Sequence, residues 1–407
     1  MVHIRRWTGI ATALLATELL VAGTAAHAAA PTPDPVRVSV EDAVTAKLRG
    51  QVQAAAAEHA DSSEAEHAES SETRVTVTRK NGKWAFGTAV AVTGHEKDVH
   101  PTGAIFIARA EAGTWRVNFD GEAGFSELAA VSPLVNKQEK AVFTSAPSNP
   151  SGPSTMQAGG DYRTGMALPF AVGQTWTLTG GPHGWGGSEL PYSSIDLAGG
   201  DQVVRAARAG TAYTMCRGWI RVIHDRGYST DYYHLWSSIS VNGAAVGQGA
   251  YLGYTGTDVT CGGAASGRHV HFGLRQNSAY VSIGGHDLGK WAFVNGASAY
   301  QGGARHGSTW RGAGGAIYNY GALGFNQAVV DANGGGAVNK RSGPGAGYAL
   351  QGSVGDGATV TVSCSANGTS HTGRYGTTAL WNRLSDGTWV SDAYLWTGVN
   401  GPINGWC

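Results

Sequence analysis

The stretch SGRHVHFGLR, residues 266–275, sets His269 and His271 one residue apart inside an apolar run. In a β-strand alternate side chains share a face, so both imidazoles point into one space while Val270 and Phe272 point to the other. A neutral imidazole offers a lone pair that binds a metal or accepts a proton, so the pair predicts chemistry more than packing. Other groups able to join it lie upstream: His183 and Asp196 in GGPHGWGGSELPYSSIDLAGG, and His234 in DYYHLW. A catalytic zinc takes about three protein ligands and keeps one position open for water. Imidazoles with one carboxylate hold such a site near neutral charge, so that its water still ionises. Competing hydrolytic chemistries lack their residues. There is no H-E-x-x-H or H-x-x-E-H, no G-x-S-x-G and no G-D-S-G, and the region is too poor in Glu to nominate an acid pair for glycoside cleavage.

Residues so far apart meet only if strands carry them, and the texture of residues 155–305 is of short β-like segments. GTAYTMCRGWIRVIHD, YSTDYYHLWSSISV and GAYLGYTG suit an antiparallel sheet, and no amphipathic helices alternate with them, which excludes a doubly wound α/β fold. Within these segments His224 is expected at a strand end as a structural or surface group. His286, His306 and His371 are set aside as well, and one of Tyr232 and Tyr233 is expected to line a groove. In front lie a helix-prone acidic stretch, QVQAAAAEHADSSEAEHAESSE, and two alternating segments, TRVTVTRKNGKWAFGTAVAV and GAIFIARAEAGTWRVNFD, that read as antiparallel strands. They end at KAVFTSAPSNPSGPSTMQAGG, read as an exposed connection and an easy place to cut. A Gly/Asn/Tyr-rich connection, RGAGGAIYNYGALGFNQAVVDANGGG, precedes a tail over residues 336–407 of the size of a small barrel.

Composition sets the outer bounds. The chain has 407 residues, 62 of them glycine and only 14% charged, and Lys+Arg equals Asp+Glu at 29 each, so no charge excess points to nucleic acid. The opening has Arg5 and Arg6, an apolar segment, and Ala26-His27-Ala28, the pattern of a secretory signal over residues 1–28. Nothing later is apolar for long enough to span a bilayer. The expected product is extracellular, monomeric and free of the membrane after export. There disulfides persist. The grouping of the cysteines favours Cys216 with Cys261 and Cys364 with Cys407, and the absence of C-x-x-C argues against a four-thiolate zinc site. The cysteine-free front piece, residues 29–150, has the look of a removable pro-segment.

The order H-(12 residues)-D, then YYH, then H-x-H followed by FGLR, with a cysteine pair spanning about 45 residues between, resembles the M23 family of zinc metalloendopeptidases, in its β-lytic and LasA-like subgroup. LPYSSIDLAGG and GRHVHF are similar to family motifs, and the resemblance covers roughly residues 160–305. It implies a mainly β, antiparallel peptidase domain over 155–315 that binds one Zn²⁺ through His183, Asp196 and His271, with His234 and His269 as catalytic non-ligands. It also implies hydrolysis of glycine-containing bonds in the cross-bridge or stem peptide of bacterial peptidoglycan. The tail, with RSGP and W...DG.WVSDAY, resembles bacterial SH3-like domains that hold hydrolases to the wall; Trp381, Trp389, Tyr394 and Trp396 are its aromatic candidates. Two alternatives stay open at this point: a secreted protease of glycine-rich proteins, and a wall-binding protein without catalysis.

Overall fold

The computed structural model describes residues 38–58, 72–97, 99–144 and 161–407. The expected signal, the connection at 145–160 and the later part of the acidic stretch lie outside the described residues. In the front module the alternating segments form a meander of β1 (Thr73–Asn81), β2 (Trp84–Ala91), β3 (Thr102–Glu111) and β4 (Thr114–Phe119), paired in chain order. The helix α1 (Val40–Glu58) begins well before the acidic run because its apolar stripe does: Val40, Val44 and Leu48, one turn apart, bury against Ala85, Ala89 and Phe106. Residues on the other face of the same strands, Phe86, Val90, Ile105 and Ile107, pack with Phe125 and Leu128 of α2 (Ala123–Val131) and Phe143 of α3 (Lys137–Phe143). The helix α3 corrects the reading of Lys140–Phe143 as open connection. Asn136 caps α3 through a reciprocal capping box with Glu139, a signal overshadowed by the Pro/Ser/Gly run beyond it.

The next region is built on β5 (Thr175–His183), β6 (Ser194–Ala198), β7 (Val203–Arg205), β8 (Gly210–Cys216), β9 (Trp219–Ile223), β10 (Tyr228–Tyr233), β11 (Asn242–Val246), β12 (Tyr251–Tyr254) and β13 (Val270–Gln276). Its main sheet runs β11-β8-β9-β10-β13-β6-β5, every pair antiparallel, with Ala316–Tyr318 added at the β5 edge. Leu178, Ile195, Leu197, Ile220, Val222, Tyr232, Val270, Phe272 and Leu274 form the core on one face of it. Chemistry is left to the other. Arg221 and Asp231 stand opposite each other on β9 and β10 and pair at 2.8 Å, wholly buried, with Trp219 and Tyr280 also donating to the carboxylate.

A four-stranded sheet over Asp287–Gly312 follows, then the tail, a seven-stranded antiparallel sheet. The stretch expected as a plain connection instead contributes a strand to each side, Ala316–Tyr318 to the β5 edge and Gln327–Val330 to the tail. Trp381 and Trp396 are buried and Trp389 and Tyr394 half-buried, so these candidates serve the tail's interior, while Tyr348 and Trp406 are its exposed aromatics. Both disulfides pair as expected: Cys216–Cys261 ties the end of β8 to the loop before β13, and Cys364–Cys407 ties down the last residue.

Candidate metal centre and active site

Three neighbouring strands deliver three side chains to one point. Asp196 on β6 faces His271 on β13 in register, while irregularities after Leu178 and Gly180 shift β5 so that His183 falls opposite Ser194 and reaches the same place. One ligand atom from each of His183, Asp196 and His271 lies within 4.8 Å of the others. Backbone carbonyls fix the outer nitrogens of both rings: His183 Nδ1 is 2.7 Å from Gly181 O and His271 Nε2 is 3.1 Å from Trp185 O. A carbonyl only accepts, so those nitrogens carry the protons and the inner ones, His183 Nε2 and His271 Nδ1, keep bare lone pairs. The inner nitrogens are 3.2 Å apart, and Asp196 Oδ1 lies 3.0 Å from His271 and 3.6 Å from His183. Three electron-rich atoms so placed repel one another unless a cation sits among them. Two imidazoles and one carboxylate, each ring braced by a second hydrogen bond, are a donor set that suits zinc.

The electrostatics agree with that reading. Burial alone would raise Asp196, but the neighbouring His183, His269 and His271 outweigh it and hold the carboxyl well below the usual range. Burial also pulls His271 down, against the opposing charge of Asp196. Gly180 keeps the space that Asp196 needs, since a Cβ there would stand 2.5 Å from Asp196 Oδ2.

His234 and His269 complete the cluster on its open side. His234 directly follows β10 with a φ of +67°, a left-handed conformation rare outside glycine, which turns its ring back over the sheet. Its Nδ1 lies 2.9 Å from Asp258 O and His269 Nδ1 lies 2.8 Å from Gly267 O, so both rings also present a bare Nε2 inward. The two rings are 4.8 Å apart, and His269 Nε2 is 3.6 Å from Asp196 Oδ1. Burial, reinforced by the charges of His269 and His271, takes His234 down to about 3, so it is neutral at ordinary pH. A group with one fixed proton and one free lone pair is suited to accept a proton or, once protonated, to donate toward an oxyanion.

All five expected site residues therefore stand together. Tyr233 stacks on His234 at 4.4 Å and donates to Gly262 O, whereas Tyr232 packs in the core against Phe272. His224, His286 and His306 each hydrogen-bond a carbonyl away from the cluster, as structural groups. Three wall residues were not foreseen. Trp185 supplies the carbonyl that holds His271, and Tyr300 stacks on His183 at 4.1 Å. His100 enters from the front module, its ring stacked on His271 at 4.5 Å and its Nε2 3.3 Å from His234 Nε2. Nothing in DVHPTGA ties His100 to residues more than 130 positions away; only the packing of two modules does.

Residues 191–283, which hold Asp196, His234, His269 and His271, match the Peptidase family M23. Protease LasA of Pseudomonas aeruginosa is similar over 146 residues at 36% identity, covering 33% of this chain and 35% of LasA, so the match spans about a third of that relative's own length. Beta-lytic metalloendopeptidase of Lysobacter enzymogenes is similar over 146 residues at 27% identity, covering 33% of this chain and 82% of that protein. Among solved structures, the deep-sea M23 metalloprotease pseudoalterin matches at 31% identity over 38% of this chain and 97% of its own, with a TM-score of 0.36. Relatives that are themselves named proteases, aligned with a chain whose histidines and aspartate converge as a metal site requires, place it in a family of metallopeptidases: the chain belongs to peptidase family M23.

Proposed function

We propose that this protein is a zinc metalloendopeptidase that hydrolyses glycine-containing peptide bonds of bacterial peptidoglycan, in the cross-bridge or next to the stem peptide. One observation carries the proposal. Two bare imidazole nitrogens and a carboxylate oxygen, each held by its own strand, converge beside two more histidines whose free nitrogens face the same space. In this reading His183, Asp196 and His271 hold the zinc, which when bound polarises a carbonyl and acidifies water. His234 and His269 divide the proton work: one takes a proton from the attacking water, and the other hydrogen-bonds to the oxygen on which negative charge develops. Trp185 and Tyr300 flank the centre as flat walls, and Gly184 has no room for a side chain beside the Glu189 carbonyl. A cleft of plates and bare backbone suits an extended substrate poor in side chains.

Residues 1–28 and 29–150 are proposed as signal and pro-segment, 155–315 as the peptidase domain and 336–407 as a wall-holding, SH3-like tail, in a secreted monomer. Among the described residues no helix is long and apolar enough to cross a membrane. The test is loss of turbidity of killed Gram-positive cells, with and without a zinc chelator, together with identification of the new amino termini. Chelator-sensitive lysis with glycine at the new ends is expected. Termini without glycine, or lysis indifferent to the chelator, would overturn the substrate or the zinc.

A further inference from the structure

The face on which His269 stands extends beyond the histidines. His269 and Gly256 form an antiparallel bridge in which each N–H donates to the other's carbonyl at 3.1 Å. Residues opposite each other in such a pair send their side chains to the same side. Gly256 has none, and Trp236 fills the place: a Cβ on Gly256 would stand 2.5 Å from Trp236 Cδ1. The indole therefore lies on the face where His269 presents its imidazole, two residues along the chain from His234, and it remains 41% exposed. A single exposed aromatic needs no explanation in itself. Its partner does.

Arg268, the exposed residue before His269, lays its guanidinium over that indole at 4.6 Å from the ring centre. Its Nε and Nη2 both donate to Thr255 O, at 3.3 and 3.1 Å. These bonds use one edge of the planar fork. The other edge, Nη1 with the second Nη2 hydrogen, keeps two N–H groups pointing the same way, the geometry that a carboxylate accepts with both oxygens. Among the described residues no carboxylate pairs with Arg268, whereas Arg217, which lines a cleft with Trp236, is neutralised by Asp258 at 3.0 Å. Stacked below and bonded at one edge, the Arg268 fork is already ordered, so a ligand gains its charge and its donors at little cost in side-chain entropy. We propose that Trp236 and Arg268 form a specificity subsite at the edge of the active site, which selects peptides carrying a free carboxylate, of a side chain or a chain end, close to the glycine bond that is cut. Flat walls and bare backbone accept any thin peptide; the guanidinium tells an anionic one from a neutral one. This rests on the peptidase reading above.

The test uses the zinc-loaded protein in the form found outside the cell and soluble oligoglycine peptides with blocked ends. One set carries Glu on either side of the glycines, a second carries Gln in its place, and a third carries Gln but leaves the terminal carboxylate free. The better of the two carboxylate sets should be cut with a kcat/KM roughly tenfold above the Gln set, about the worth of one charge-assisted hydrogen bond at a partly exposed site, and which set it is names the source of the carboxylate. In Arg268→Gln that ratio should fall to about one. The loss should fall on KM, because a carboxylate held away from the reacting atoms is bound alike in ground and transition states. Arg268→Lys, which keeps the charge without the fork, should retain part of the preference, and Trp236→Ala should lower it about two- to fivefold by removing the stack. Arg383→Gln in the tail removes the same charge elsewhere and should leave the ratio as it is. Zinc content, measured for each variant, guards against reading a misfolded protein as an unselective one. Equal cleavage of neutral and carboxylate peptides by wild type, or a preference that survives in Arg268→Gln, would overturn the subsite. A zinc-loaded wild type that cuts none of the peptides would overturn the peptidase reading, and the subsite with it.

Discussion

At the scale of single residues, the pattern that opened the problem separates into two roles. His269 and His271 do share a space, as a strand requires, yet only His271 belongs to the trio whose ligand atoms converge. His269 stands just before β13 and touches Asp196 only at 3.6 Å. His271→Ala should therefore lose bound zinc together with activity. His269→Ala should keep close to one zinc per chain while turnover falls by roughly 10² to 10⁴, the range for a positioned acid, base or oxyanion donor. Metal analysis of the folded, purified variants decides the matter; zinc lost from His269→Ala and kept in His271→Ala would reverse the roles. The side chains of this site were legible because histidine and aspartate are informative residue types at family spacing. The carbonyls of Gly181, Trp185, Asp258 and Gly267 that set the four tautomers were not, because every residue has a carbonyl and only the folded chain shows which one faces a ring.

Among the elements, strands in this chain are easy to read and their registers are not. Period-two alternation in TRVTVTRK or IRVIHD names a strand, but nothing local says that β5 slips against β6 after Leu178 and again after Gly180, the slip that brings His183 level with the other ligands. The tail shows the same limit: its expected short strands include one of fifteen residues, Thr359–Gly373, whose run through polar Ser, Asn and Thr carries no apolar signature. Gly180 is where the slip meets chemistry. Gly180→Ala would bring a methyl to 2.5 Å from Asp196 Oδ2 and 3.1 Å from its Cγ, so the carboxylate must turn away from the imidazoles. The expected outcome is zinc affinity lower by about 10- to 100-fold, as when a ligand's supporting contact is lost, with the fold retained. Competition with a chelator of known affinity measures it, and an unchanged zinc affinity would show that the backbone yields in place of Asp196.

Over the whole molecule, stability should answer to pH through buried groups outside the metal cluster, and two sets oppose each other. Burial takes His224 and His286 down to about 4, each ring donating to a carbonyl while neutral. Folded pKa values below the unfolded 6.5 mean that their contribution is present above about 6.5 and is lost as pH falls toward 4. Asp287 and Asp392 behave in the reverse sense. Burial raises each carboxyl to about 7 from 3.8, against weaker pulls on Asp287 from Lys290 and Trp396 and on Asp392 from Asn382. Their contribution is full below about 3.8 and is lost as pH rises through 7, where the buried carboxylates must ionise. Between pH 4 and 7 the slopes therefore offset, and removing one set exposes the other. Asp287→Asn should match wild type within a narrow margin near pH 4 and gain on it steadily up to pH 7, by roughly 1–3 kcal/mol, the cost of burying a poorly partnered polar or charged group. Above pH 7 the gap should stay constant. Melting curves of the two proteins across this range, at fixed zinc, give the answer: a gap that does not change between pH 4 and 7 would mean that Asp287 is ionised throughout that range in the folded protein, as in the unfolded one, and that its burial is not what shapes the stability of this fold.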